Sequence, residues 1–209
     1  MELIKNYFPD FTEEQLALFA KLPELYEDWN SMINVISRKD LDQLTLRHVL
    51  HSLSILKFHP LPKGISLVDI GTGGGFPGIP LAIACPDIEF TLVDSIGKKI
   101  KVVNAVADAL GLKNVIGIHS RGEDLKDRYD IVTARAVTRL APLWKWSKQV
   151  LRNPQTGKLI TLKGGELDDE IEEFEEINPL YRVQKFDLKE QFSNEFFETK
   201  QLLVVEKKP

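Results

Sequence analysis

The residues with the most chemical potential crowd into LVDIGTGGGFPGIPLA, residues 67–82, where five glycines fall within eight positions. Glycine tolerates positive φ and carries no Cβ, so a ligand can approach the backbone of such a turn closely. If a helix follows, its first N–H groups are unpaired and point at whatever sits there. Two ligands fit the spacing. Gly73-x-Gly75-x-x-Gly78 matches the pattern that cradles a dinucleotide pyrophosphate. Asp69-x-Gly71-x-Gly73-x-Gly75 matches a loop that holds S-adenosylmethionine (SAM). A purely structural turn is the third reading. A carboxylate at Asp69 would repel a pyrophosphate but suits the cationic ammonium and sulfonium side of SAM. Pro77 and Pro80 also remove N–H donors at the helix entry, where a pyrophosphate needs them. Both features favour SAM.

Further polar residues follow at intervals that suit the same ligand. Asp94 lies about twenty residues past the loop, where a carboxylate accepts hydrogen bonds from ribose hydroxyls. That fits SAM and NAD alike, and Asp94 with Ser95 could equally cap the next helix. In HSRGEDL, residues 119–125, Gly122 offers backbone and Glu123 an acceptor to an adenine ring; a polar surface loop is the alternative. Arg135 and Arg139 are four apart, and Lys163 precedes Gly164-Gly165. Arginine binds a carboxylate or a phosphate through two parallel hydrogen bonds. Arg139 and Lys163 are therefore candidates for RNA phosphate, with structural ion pairs as the competing reading. Lys98, Lys99 and Lys101 crowd the first turns of an expected helix, against its dipole. With Arg38, Lys39, Arg47 and Arg121 they could line an RNA-facing rim, or simply a solvated face. His48 and His51 have no carboxylate or cysteine partner at ligand spacing, so packing or RNA contact is expected there rather than a metal. Trp144 and Trp146 are two apart on a helix, which turns one of them outward.

The elements that must carry these residues change character near residue 65. Before it, residues 12–35 carry apolar side chains at helical spacing, with Thr12 and Gln15 as a capping box and Pro23 dividing the stretch into two helices. Residues 40–58 read as one further helix opened by Asp40. After it, ISLVDI, IEFTLVD, NVIGIH, YDIVTARA and GKLITLK read as strands alternating with helices. Strict alternation implies a parallel sheet covered on both faces. LYRVQKFDL and KQLLVVEK are two closing strands with no helix between them, so one terminal strand is expected to run antiparallel. The reading is thus a helical extension over 1–62 and a ligand-binding α/β unit over 63–209, together one compact body.

Bulk properties bound the rest. A chain of 209 residues with 43% hydrophobic and 28% charged residues is ordinary for a globular protein. The first residues lack a signal-peptide layout, and no apolar run reaches the length of a membrane span. The single cysteine, Cys85, excludes an internal disulfide and a cysteine-rich metal site. A cytoplasmic protein is expected, with no membrane association, no metal and no protein partner inferred. The net charge of −4 argues against a broad nucleic-acid surface, but not against a local basic face.

DIGTGGGFPGIPLA, LVDSIGKK, HSRGEDL, TARAV and LKGG occur in the order, and near the spacing, found in the bacterial RsmG (GidB) methyltransferases, and RHVLHSL in the helical part also resembles that family. The likeness spans nearly the whole chain. It implies a class I SAM-dependent methyltransferase fold, Rossmann-like, with a seven-stranded sheet whose final strand is antiparallel. It implies methylation of N7 of one guanine in small-subunit ribosomal RNA, free or within the 30S subunit. Carried over by position, SAM contacts would be Gly71, Phe76, Gly122, Glu123 and Arg135, while Asp69, Gly73 and Asp94 follow from the general loop pattern. An NAD-linked oxidoreductase and a non-catalytic SAM-binding RNA module are the rival functions. N7 carries a lone pair and no proton, so no general base is needed. The sequence accordingly has no Asn/Asp-Pro-Pro-Tyr motif for an exocyclic amine.

Overall fold

Buried, β-branched runs become the centre of a seven-stranded sheet. The computed structural model describes residues 1–209, the side chain of Arg38 apart. Its strands are β1 (Ser66–Ile70), β2 (Glu89–Asp94), β3 (Val115–His119), β4 (Ile131–Arg135), β5 (Lys158–Gly164), β6 (Tyr181–Asp187) and β7 (Lys200–Lys207). Their spatial order is β3-β2-β1-β4-β5-β7-β6. The first five are parallel, and β7 inserts antiparallel between β5 and β6. The chain direction reverses its walk at β1, so the crevice beyond the carboxyl ends of β1, β2 and β4 is where such a sheet binds ligands.

Helices cover both faces. Leu67, Phe90, Leu92, Ile160 and Leu202 pack on one side, under α1 (Glu2–Tyr7), α2 (Glu13–Met32), α4 (His51–Phe58), α5 (Gly78–Ala84) and α6 (Gly97–Leu110). Val68, Ile70, Val132, Ala134 and Val205 face the other way, onto α7 (Leu140–Val150) and α8 (Asp168–Ile177). A short helix, α3 (Arg38–Leu41), precedes α4. The period-2 alternation along each strand thus feeds two separate apolar layers.

Two helical expectations need correction. Pro23 does not split the first long segment: α2 runs unbroken from Glu13 to Met32. An interior proline costs a helix about 3 kcal/mol. The face formed by Leu16, Phe19, Leu22 and Tyr26 is buried, and such side chains contribute about 1.5–3 kcal/mol each. Burial wins. The Thr12–Gln15 box is present, with Gln15 N–H donating to Thr12 Oγ1 at 3.2 Å and Thr12 N–H to Gln15 Oε1 at 3.0 Å. Residues 40–58 are not one regular helix either: α3 ends at Leu41, a π-helical turn occupies Thr45–Leu50, and α4 follows. The wide turn carries Arg47 and His48, which meet the loop side of the sheet.

Candidate active site

The glycine-rich loop, residues 71–77, leaves β1 and enters α5, and it is held from three sides. Gly71, Gly73 and Gly75 take φ of +70°, +61° and +103°, a region closed to most side chains. Beneath the loop, the Asp69 carboxylate accepts the Gly78 N–H at 3.0 Å and the Thr133 hydroxyl at 3.3 Å. Beside it, Asp94 Oδ2 accepts the Gly73 N–H and Oδ1 the Ile96 N–H, each at 2.9 Å. Behind it, the Tyr26 hydroxyl donates to the Gly74 carbonyl. Asp69 is fully buried. It sits under the loop and ties down the first N–H of α5, rather than standing where a cationic ligand would meet it. Burial pushes its pKa up to about 7, against the pull of its hydrogen bonds and of Arg135.

A cavity of about 330 Å³ opens on the other side of the loop, over the ends of β1, β2 and β3. Gly71, Asp94, Arg121, Gly122 and Glu123, all singled out from the sequence, border it. Ile70, Val137 and Trp146 supply its apolar walls. Close packing explains two of its glycines. A Cβ on Gly71 would stand 2.6 Å from Val137 Cγ2, and one on Gly122 would stand 2.7 Å from Ile70 Cγ2. Trp146 was legible only as one of two tryptophans, one of which must turn outward. Trp144 is the buried one, at 2% exposure, and Trp146 faces the cleft. Val137 carried no signal in the sequence.

Phe76 and Arg135 lie elsewhere, in a buried cluster behind the loop. The Phe76 ring is 4.9 Å from Tyr26 and 5.0 Å from His48, and the Arg135 guanidinium stands 5.3 Å from its centre. Arg135 Nη2 donates to His48 Nδ1 at 2.8 Å. Burial, with Arg135 adding to it, drives the His48 pKa down to about 3, so the imidazole is neutral and free to accept. Burial also lowers Arg135, to about 10, leaving it charged at neutral pH.

The expected RNA contacts divide by partner. Lys163 is held by Glu170 at 2.7 Å and the Thr138 carbonyl at 2.9 Å, with little of its side chain exposed. Arg139 pairs with Glu173, and Arg47 with Asp40 at 2.7 Å. Arg121 and Lys98 are exposed, Arg121 with its guanidinium 3.8 Å from Glu123. The Arg38 side chain lies outside the described residues. Among the described residues, no three His, Cys, Asp or Glu side chains converge to hold a metal ion. Among the described residues, no helix is long and apolar enough to cross a membrane.

The residues present fit SAM. Asp94 uses one lone pair of Oδ2 for the loop and one of Oδ1 for the entry to α6, and keeps others for ribose hydroxyls. Ile70 and Trp146 offer flat apolar surface to a purine. The cavity volume falls within the range of small-molecule sites, about 300–1,000 Å³. Comparison with known proteins decides the matter. Residues 15–199 match the family model GidB, described as rRNA small subunit methyltransferase G. The chain belongs to this family. It is therefore a SAM-dependent methyltransferase. Ribosomal RNA small subunit methyltransferase G of Bacteroides fragilis is 50% identical over 209 residues, covering 98% of this chain and 99% of that protein. The protein of the same description in Cytophaga hutchinsonii is 48% identical, with the same coverage. Among solved structures, a SAM-dependent methyltransferase from Aquifex aeolicus matches at TM-score 0.59 and 18% identity, over 80% of this chain and 95% of that one. A ribosomal protein L11 methylase from Lactobacillus delbrueckii matches at TM-score 0.58 and 16% identity, over 77% of each. These two resemble the GidB-family chain in fold.

Proposed function

We propose that this methyltransferase places the methyl group of SAM on N7 of one guanine in small-subunit ribosomal RNA, in the cytoplasm. The observation that carries the reading is the cleft itself. An acidic acceptor, Asp94, braces a glycine loop on one side and Gly122 stands on the other, at the carboxyl ends of adjacent strands, with Trp146 of α7 closing the cleft. Asp94 takes the ribose hydroxyls. The backbone at Gly71, on the cleft wall, would hold the amino-acid portion, with Gly73 beside it in the loop. Gly122 and Glu123 border the adenine, with Trp146 and Ile70 as its walls. Asp69, Phe76 and Arg135 act from beneath and behind, by fixing the loop and its strand.

When bound, SAM supplies a methyl group already activated by the positive sulfur. Guanine N7 presents an in-plane lone pair and loses no proton, so the protein need provide no base. Its task is to align nucleophile, methyl and sulfur, a proximity effect of up to about 7–11 kcal/mol. The buried acids and histidines suit that division of labour. Asp69 is fully enclosed and His48 is engaged with Arg135. Asp69 holds the backbone of the helix entry and His48 holds the Arg135 side chain, and neither is needed to move a proton.

The test is direct. Unmodified small-subunit particles incubated with methyl-labelled SAM should gain label at a single guanine, mapped by reductive strand cleavage at N7-methylguanine. Label on an exocyclic amine or on ribose would refute the N7 assignment.

A further inference from the structure

Arg47, Arg139 and Lys163, expected at the crevice mouth, are held in ion pairs, and the chain carries a concentrated positive segment elsewhere. From Ile131 to Gly165 there are seven Lys or Arg residues and no Asp or Glu, in a chain of net charge −4. Most of these cations are taken. Arg135 is buried in the cluster behind the loop, while Arg139, Arg152 and Lys163 pair with Glu173, Asp130 and Glu170. Lys158 pairs with Glu206. Two remain, Lys145 and Lys148, both exposed and one helical turn apart on the outer face of α7.

Opposite them runs the loop from β3 to β4, where Lys126 and Arg128 are also exposed. Lys126, Arg128, Lys148 and Gln149 line one open groove of about 660 Å³. Asp127 is the one acid of the loop between Leu125 and Tyr129, and among the described residues no ion pair joins it to either neighbour. The groove lies toward the amino ends of the strands, where its Arg152 meets Ser66 at the start of β1, and the β3–β4 loop and α7 run from it to the cleft. Glu123, on the cleft rim, precedes Lys126 by three residues, a span of at most about 10 Å. Trp146, in the cleft wall, precedes Lys148 by two residues, about 3 Å along the helix axis, with Lys148 on the opposite side of the helix.

We propose that this groove, lined by Lys126, Arg128 and Lys148 with Lys145 one helical turn from Lys148, grips the phosphate backbone of the RNA strand whose guanine enters the cleft. The inference rests on the proposed RNA substrate and adds to it the surface that anchors the strand. Cations without a carboxylate partner suit a phosphodiester chain because they bind it by charge and release counterions, independent of base sequence.

The test compares wild type with K126Q/R128Q/K145Q/K148Q, and with the triple variant that keeps Lys148, whose ammonium lies 5.3 Å from the Tyr181 ring. A control, K21Q/K189Q, removes the same kind of charge from distant exposed sites. Thermal melting and calorimetry with S-adenosylhomocysteine verify an intact fold and cleft. Near 0.15 M salt, KM for unmodified particles should rise about tenfold or more in the quadruple variant, with kcat unchanged. The plot of log affinity for naked small-subunit RNA against log salt should flatten by about 2 or more. The control should match wild type. A folded variant with wild-type KM and salt slope overturns the groove. So does loss of binding to the particle with full binding to naked RNA, which would place a ribosomal protein there instead. A wild-type chain that binds SAM but methylates no ribosomal RNA removes the underlying reading, and the groove with it. Wild-type methylation with an unaltered variant removes the groove alone.

Discussion

Asp94 does two jobs with one carboxylate, and its two oxygens cannot be replaced singly. Oδ2 holds the loop through Gly73 and Oδ1 holds the entry to α6 through Ile96. In Asp94→Asn one oxygen becomes an amide donor and faces a backbone N–H. A buried donor left without its acceptor costs about 1–3 kcal/mol. Calorimetry with S-adenosylhomocysteine should show affinity falling at least about tenfold, together with a lower melting temperature. Unchanged affinity would remove Asp94 from the ligand site. Asp69 makes a different prediction, through pH. Its pKa is raised, to about 7 in the folded chain from an ordinary value of 3.8. Below pH 4 the group is protonated in both states and its contribution is intact. Between about 4 and 7 the unfolded chain releases the proton and the folded chain retains it, so stability falls as pH rises, by up to about 1.4 kcal/mol per pH unit. Asp69→Asn removes this titration while still offering an oxygen to the Gly78 N–H. Its stability relative to wild type should therefore climb from pH 4 to pH 7 and then level off. His48, lowered to about 3, works in the opposite sense, losing its contribution as pH falls below 6.5. It is common to both proteins and cancels in the difference. Urea unfolding at a series of pH values checks this, and a pH-independent gap would contradict it.

At the scale of elements, the loop is a strand–turn–helix unit whose turn is fixed from outside. The Tyr26 hydroxyl reaches the Gly74 carbonyl from α2, forty-eight residues away in sequence. Tyr26→Phe keeps the ring against Phe76 and removes only the donor. The orphaned carbonyl should cost about 1–3 kcal/mol in thermal or urea unfolding, and the looser turn should weaken SAM binding. Wild-type stability in the variant would mean that the loop holds itself. This distance also explains what the sequence could and could not reveal. The glycine turn, Asp94 and Gly122 are legible because each belongs to a local strand-to-loop junction with its own spacing. The sheet is legible because apolar alternation and turn residues repeat along the chain. Where Asp69 and Arg135 point is not, because that depends on partners remote in sequence: Thr133 is sixty-four residues from Asp69, and His48 is eighty-seven residues from Arg135. Lys163 and Arg139 fail as free cations for the same reason. Their acids, Glu170 and Glu173, are visible in the acidic run, but nothing in the run tells which of its faces meets the strand ends. Pro23 shows the converse case, a local rule overruled by packing that only the tertiary structure supplies.

At the scale of the whole molecule, the N-terminal helices behave as part of the catalytic body rather than as an attachment. Residues from Ile4 to Ile55 share one apolar core with Phe76, Leu81, Leu92 and Val102. The polar ties run the same way. Gln15 Nε2 donates to the carbonyls of Ile83 and Ala84, which the end of α5 leaves unpaired. His48 accepts from Arg135, and Tyr26 caps the loop. Removing residues 1–62 would therefore expose the apolar underside of α5 and α6. It would also leave the Gly74 carbonyl and the Arg135 guanidinium without their protein partners. The intact chain should consequently melt in one calorimetric transition, with the van't Hoff and calorimetric enthalpies equal. The fragment 63–209 should show no cooperative transition and no affinity for S-adenosylhomocysteine. A fragment that melts sharply and binds the ligand would show that the glycine loop is organised by its own sheet. In that event the helical segment would serve only substrate docking, and the buried cluster of Tyr26, His48, Phe76 and Arg135 would have lost its structural reason.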